Sequence, residues 1–268
     1  MKVLDLDMDY FMKCDVYIGS DSSTDRLSEA DYGEYVWNEC EVRRFLEESL
    51  GLSKSKRIPG RIVTGHNEAL YFWQKLITEG ILSTLFDVVH VDTHADLGLG
   101  YASWSHICKE ILKYPVEERP NHAAYYAFNR WNKEGIGDYL LYAIAYRMIS
   151  KLTYCGNPHK ECNDYVWCTL KNLEEKYVFE NGNSVQQSIQ LLLNENEFPQ
   201  YDDSKMVKQR FIDQSVKEPE VPFLIIPRIE DVHYNGDFDF AVMAQSPNYT
   251  PKSADYIMGV FREYIDEI

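Results

Sequence analysis

In "HVDTHADLG", residues 90 to 98, two carboxylates and an imidazole alternate just where an apolar run stops. Asp92, His94 and Asp96 are costly to bury unless a shared counter-ion holds them. Two more segments end in the same way: "DLDMD" with Asp5, Asp7 and Asp9, and "TGHNE" with His66. Mixed carboxylates and imidazoles suit manganese, zinc or iron, whereas all-oxygen sets suit calcium or magnesium. The set exceeds the four ligands of a structural zinc, and its size fits two ions sharing a bridging oxygen. Alone, a D-x-D is more often a turn or cap, and a lone histidine such as His66 is more often a core residue. The metal reading rests on their combination. His90 shares strand parity with Asp92 but lies deeper in the apolar run, which marks it as a hydrogen-bonded core residue.

The elements that must position these groups follow from periodicity. Residues 2 to 8, "KVLDLDM", alternate apolar and acidic, so a strand there sends Asp5, Asp7 and Asp9 to one face. "RIVTGHNEALYFWQKLITEGIL" predicts a short strand, a turn at Gly65 and a helix. "LFDVVHVDTHAD" predicts a strand whose unbroken apolar run suits a sheet covered on both faces. "VPFLIIPRIE" and "GDFDFAVMAQSP" predict two more strands. "WNECEVRRFLEESLGL", "YLLYAIAYRMISKL" and "SVQQSIQLLLNENE" predict helices. So does "TPKSADYIMGVFREYIDEI", capped by Thr250 with Pro251 in its first turn. Residues 15 to 35 read as a polar loop. Alternating strands and helices, with no repeat and no long linker, predict a single α/β domain over residues 1–268 with a mostly parallel sheet. Sites in such sheets form at the carboxyl edge of the strands.

A chain of 268 residues, 45% hydrophobic, can bury a core without disulfides. The six cysteines (Cys14, Cys40, Cys108, Cys155, Cys162, Cys168) are scattered, and the opening "MKVLDLDMDY" has no apolar signal core. Reduced thiols and a cytoplasmic location are therefore expected. No uncharged apolar run approaches the ~20 residues that cross a bilayer. The net charge of -16 disfavours nucleic acid and anionic membranes as partners and favours cationic ones. An oligomer of identical chains is compatible with the sequence.

These motifs resemble a known family. "DTHAD" resembles the D-A-H-x-D motif of the ureohydrolases arginase and agmatinase, and "TGHNEAL" resembles their G-G-D-H-S-L. "VLDLDMDYF" is similar to their S-F-D-x-D strand and to the D-x-D-x-H strand of the histone deacetylases, which share the fold. "LDLDMDYF", "HVDTHADL" and "AQSPNYTP" together are similar to the arginase-like family whose characterised members are peptide arginases, enzymes that convert arginine residues of ribosomally made precursor peptides into ornithine. The resemblance implies a three-layer α-β-α, arginase/deacetylase-like fold and two manganese ions. It implies that Asp92 and Asp7 bridge the ions, with His66 and Asp96 on one and His94 and Asp9 on the other. Asp5 falls one step behind the ligand positions. His106, in "GLGYASWSHICKEIL", matches the histidine that shuttles protons, a role suited to a group that titrates near neutrality.

The chain also departs from that pattern. The D-x-D strand comes first rather than late, so the connectivity must differ while converging on the same edge. The glutamate that grips the guanidinium in an E-V-N-P segment is replaced by Ala244 of "AQSP", which leaves Glu68 and Gln245 as substrate-binding candidates. "CGNPHKEC" matches no standard zinc spacing. The expected activity is manganese-dependent hydrolysis of the guanidinium group of arginine residues in a precursor peptide, giving ornithine and urea. The rivals are an ordinary ureohydrolase or deacetylase-like amidase on a small molecule, and a non-catalytic metal-containing peptide-binding protein. A phosphatase of the haloacid-dehalogenase class fits less well, because Asp9 stands where it needs a hydroxyl residue.

Overall fold

A computed structural model describes residues 1–13, 25–26, 28–29, 35–98, 102–121, 135–159, 170–171, 183–200 and 202–268. Most of the expected loop 15 to 35, together with Cys14, Cys162 and Cys168, lies outside these residues. The strands in chain order are β1 (Lys2–Asp7), β2 (Met12–Lys13), β3 (Tyr35–Val36), β4 (Ile58–Val63), β5 (Phe86–Asp92), β6 (Ile149–Gly156), β7 (Leu170–Lys171), β8 (Val185–Ile189), β9 (Leu192–Leu193), β10 (Val216–Lys217), β11 (Val221–Ile226), β12 (Phe240–Ala244) and β13 (Ile265–Glu267). Nine of them form one sheet in the order β13-β4-β12-β1-β5-β6-β11-β8-β7. From β13 to β11 every neighbouring pair is parallel, and the two pairings made by β8 are antiparallel.

Two apolar clusters cover the two faces. Val3 of β1, Val88 of β5 and Val242 of β12 belong to one, with Leu70 and Trp73 of the helix Glu68–Thr78 and Leu141 of the helix Tyr139–Ala145. Leu4, Val89 and Ala241, each next to one of these residues in its strand, belong to the other with Val42, Phe45, Ile257 and Phe261. Alternate strand residues point to opposite faces, so the sheet is sandwiched between helices. The helix Glu68–Thr78 buries Ala69, Leu70, Phe72, Trp73 and Leu76, the stripe expected of an amphipathic helix. Its four large apolar side chains contribute roughly 6–12 kcal/mol of burial, an upper figure because the unfolded chain already hides some surface.

Several predicted elements differ. β1 stops at Asp7, and Asp9 lies in a 3-10 turn, Met8–Phe11, whose first N–H groups are capped by the Asp7 side chain. "SVQQSIQLLLNENE" forms β8 and β9 instead of a helix, because pairing with β11 and β10 overrides the helix preference of its Gln and Leu residues. In "YLLYAIAYRMISKL" the helix ends at Ala145, and Arg147, at φ +59, turns the chain into β6. The last predicted helix is confined to Tyr256–Phe261, and Ile265–Glu267 adds β13 to the sheet beside β4. Thr250 does not cap it: its hydroxyl donates to the Gln245 and Ser246 carbonyls at 2.7 and 3.0 Å. Among the described residues no helix is long and apolar enough to cross a membrane.

Candidate metal centre

β1 lies between β12 and β5, so Asp7 and Asp92 end neighbouring parallel strands. His66 comes from the turn after β4, and Asp9, His94 and Asp96 come from the segments following β1 and β5. Asp7, Asp9, His66, Asp92 and Asp96 are all nearly inaccessible, and only His94, at 23% side-chain exposure, reaches the surface.

The six residues fall into two sets that share one carboxylate. His66 Nδ1 faces Asp92 Oδ2 at 2.9 Å, Asp7 Oδ2 at 3.1 Å and Asp96 Oδ2 at 3.1 Å. His94 Nδ1 faces Asp9 Oδ2 at 3.2 Å and the other Asp92 oxygen, Oδ1, at 3.7 Å. Asp92 thus offers Oδ2 to His66 and Oδ1 to His94, and Oδ2 also lies 3.4 Å from His90 Nε2. Both triads, Asp7–His66–Asp92 and Asp9–Asp92–His94, have ligand atoms close enough together to hold an ion.

The tautomers follow from the neighbours. His66 Nε2 lies 3.2 Å from Asp5 Oδ1. Burial opposes ionisation of Asp5, yet His66 and His90 hold its carboxyl below the usual range. Asp5 therefore accepts, and His66 Nε2–H donates. Nδ1 is left facing three carboxylate oxygens without a hydrogen bond of adequate geometry. A cation must fill that place, a proton or a metal. His90 differs, because Nδ1 lies 3.0 Å from Asp5 Oδ2 and Nε2 lies 3.0 Å from the His94 carbonyl, both acceptors. Both nitrogens must donate, so His90 is an imidazolium beneath the centre, with no lone pair for a metal.

Charge repulsion says the same. Burial, then Asp7 and Asp92, push the Asp9 carboxyl up to about 7. Burial and Asp92 push Asp96 well above the usual range. Asp92 itself is held well below it by His66 and His94, against the cost of burial. Burial likewise opposes charging of His66 and His94, but Asp5 and Asp9 respectively raise them. Among the four carboxylates Asp7, Asp9, Asp92 and Asp96, burial and mutual repulsion oppose ionisation of Asp9 and Asp96 without a cation. Two divalent cations match the combined charge of all four, and the donors are of the kind that manganese, zinc or iron accepts.

Side chains that carry no motif hold the ligands in place. Tyr139 OH donates to Asp5 Oδ2, and Ser246 Oγ donates to Asp7 Oδ2. Ser246 at φ +46 and Asp96 at φ +50 both occupy the left-handed region, and strain of this kind collects at functional sites. Thr93 donates from N and Oγ1 to Asp9 Oδ1 and its carbonyl, at 3.3 and 3.2 Å. Asn157 Nδ2 reaches Met12 O at 2.8 Å and Thr93 Oγ1 at 2.9 Å, tying β2 to the ends of β5 and β6. Asn157 directly follows β6, and Ser246 lies in the "AQSP" at the end of β12; neither has a ligand spacing that marks it.

The remaining candidates lie apart from the two triads. His106 sits on the helix Ala102–Lys109 with its ring 6.5 Å from that of Tyr142, and it belongs to none of the converging groups. Gly98, the last described residue before that helix, is at φ +93, and a Cβ there would meet Leu141 Cδ1 at 2.9 Å. Glu68 Oε1 accepts from Gly65 N–H at 3.2 Å and so caps the turn that carries His66. Gln245 Nε2 donates to Asp255 at 3.1 Å, in a cavity of about 340 Å³ shared with Arg26 and Lys252. Tyr249 packs against His94, ring centroids 5.0 Å apart, at the exposed side of the centre. No protein-family model matches the chain, and no curated protein matches it significantly.

Proposed function

We propose that this chain is a binuclear metal-dependent C–N hydrolase with an arginase/deacetylase-like fold. Its reaction is hydrolysis of the guanidinium group of arginine residues in a peptide, giving ornithine and urea. The observation that carries this reading is Asp92, whose two oxygens face two separate histidine-containing ligand sets. Two manganese ions, when bound, would supply Lewis acidity and bring the pKa of a shared water close to neutrality. Asp7, His66, Asp92 and Asp96 would hold one, and Asp9, His94 and Asp92 the other, with Asp7 as a second shared carboxylate.

The chain's own groups account for the rest. The reaction joins a water oxygen to the guanidinium carbon, breaks the bond from that carbon to the side-chain nitrogen, and leaves the proton on the departing amine. His106 is the candidate carrier of that proton. Substrate enters past His94, where the Tyr249 ring offers a face to a cation. Glu68 is engaged as a turn cap, and Gln245 lies with Arg26 and Lys252, which repel a guanidinium. The net charge of -16 favours a cationic peptide. The test is incubation with manganese and an arginine-containing peptide, read by mass spectrometry and a urea assay. Conversion of peptidyl arginine to ornithine is expected. Urea from free arginine alone points to an ordinary ureohydrolase, and bound metal without turnover of either substrate defeats the hydrolase reading.

A further inference from the structure

A second cavity opens at the same carboxyl edge. Its volume is about 360 Å³, within the range of ligand sites. Tyr35 and Trp37 on one side face Pro158 and His159, which follow β6, and Glu230, which follows β11. Glu41 and Glu48 complete the wall, the latter from a π-helical turn, Phe45–Ser49, of the type that recurs at functional sites. Three carboxylates face one guanidinium, that of Arg44, so the lining is net negative. The His159 ring stands edge-on to Tyr35, centroids 5.7 Å apart, giving the cavity aromatic walls.

Trp37 supplies an independent sign of a ligand. It is only 6% exposed, its N–H donates to Phe11 O at 2.9 Å, and its carbonyl accepts from Tyr256 OH. Its indole Nε1–H is buried with no acceptor. A donor left so costs stability unless something supplies an oxygen. A peptide carbonyl does this, and a basic side chain beside it meets the carboxylates and the aromatic faces. The cavity also shares its frame with the metal centre. Phe11 lies two residues beyond Asp9, and Asn157, which precedes Pro158, bonds the Asp9 carbonyl at 3.4 Å.

We propose that this cavity binds a lysine or arginine side chain of the peptide substrate, a few residues away from the arginine at the metal centre. The occupant rests on the peptide-hydrolase reading, whereas the cation-binding chemistry rests on the cavity alone. Glu41 is tied to Tyr35 OH and Asn38 N–H at 2.6 and 2.8 Å, whereas Glu230 has only an exposed pair with Arg228 Nε at 3.6 Å, so the exposed Glu48 and Glu230 are the carboxylates to remove.

The experiment uses chelator-stripped full-length protein and fluorescein-labelled peptides with one arginine. One peptide carries a second basic residue nearby, and its control carries norleucine there. Fluorescence anisotropy is expected to show roughly three- to tenfold tighter binding of the basic peptide, the size of an exposed ion pair with a cation–π contact. The double variant Glu48→Gln/Glu230→Gln should lose this preference, with thermal melting checking its fold. Added salt should erode it in the unaltered protein. Equal binding of both peptides, or a preference that survives the double variant, overturns the proposal. Urea release from the norleucine peptide by manganese-loaded unaltered protein reads the metal centre separately. Urea without a binding preference sinks the cavity alone, and a preference without urea sinks the hydrolase reading and leaves a basic-peptide site.

Discussion

Asp5→Asn is the sharpest probe of the metal centre, because it changes one acceptor without changing shape. Asp5 Oδ1 accepts from His66 Nε2 at 3.2 Å, and Oδ2 accepts from His90 Nδ1 at 3.0 Å and from Tyr139. Asparagine keeps one oxygen, which belongs at the Oδ2 position where two donors converge. Its NH2 group then meets His66 Nε2–H. The imidazole escapes this clash by moving its proton to Nδ1, the atom that faces Asp7, Asp92 and Asp96. A protonated Nδ1 cannot bind metal. Reversing the shift costs one charge-assisted hydrogen bond, about 1.5–3 kcal/mol, or roughly 10- to 100-fold in affinity.

The assay is competition of manganese between the protein and a chelating fluorophore, with bound metal counted by atomic emission. One of the two sites should weaken by that factor, while the Asp9–His94 site changes by less than about threefold. Tyr139→Phe is the companion variant. It removes a donor to Asp5 but leaves both histidine contacts, so metal affinity should hold while stability falls by about 0.5–1.5 kcal/mol. The reasoning fails if Asp5→Asn binds both ions as tightly as the unaltered protein, or if Tyr139→Phe weakens metal equally.

Three further outcomes follow. Asp92→Ala should lower the occupancy of both ions together and His94→Ala that of one, as counted by metal analysis; equal losses would deny Asp92 its shared position. Ser246→Ala should cost about 1–2 kcal/mol in thermal melts, because it loses the bond to Asp7 and keeps the strained backbone, while Ser246→Gly should cost less. In metal-free protein, Asp9, pushed up to about 7 by burial and its neighbours, and His90, raised to about 9 by Asp5 and Asp92 against burial, hold protons that the unfolded chain releases. Their stabilisation is complete below the unfolded values and disappears as pH climbs through the folded ones, so the melting temperature should fall between about pH 5 and 9. Manganese should reverse the trend, since its ligands bind deprotonated. A metal-free melting temperature that climbs over this range would refute the assignment.

The cluster of carboxylates and imidazoles was legible because its signal is local. A D-x-H-x-D after an apolar run, or a D-x-D ending an alternating strand, needs only a few consecutive residues to be read. Asp9 shows the limit: alternation puts it on β1, but the Asp7 side chain caps a turn that delivers it differently. Tyr139, Asn157 and Ser246 were not legible, because a tyrosine, an asparagine and a serine have no spacing that announces an acceptor 134, 148 or 239 residues away. β8 was misread for a related reason. Its alternation is written with glutamines and a serine, and only the pairing with β11 makes it a strand.

Ala244, which stands where the resemblance expects a glutamate, lies at the end of β12 between the strands that carry His66 and Asp7. His66 follows β4, yet its partners Asp7 and Asp92 end β1 and β5, with β12 intervening. Strands lie about 4.8 Å apart, so the imidazole must cross roughly 10 Å of sheet edge to reach Asp7. What it crosses is the end of β12, where Ala244 pairs with Val63 on one side and Asp7 on the other. Ala244 is fully buried in the same apolar cluster as Val63, on the face that carries the centre. A glutamate there would bring a fifth carboxylate next to the end of β1, where Asp7, Asp9, Asp92 and Asp96 already converge. On the proposed reaction, a grip on the substrate has to come from residues other than Ala244, and the ring of Tyr249, five residues on and packed against His94, is the nearest aromatic face at the exposed side of the centre.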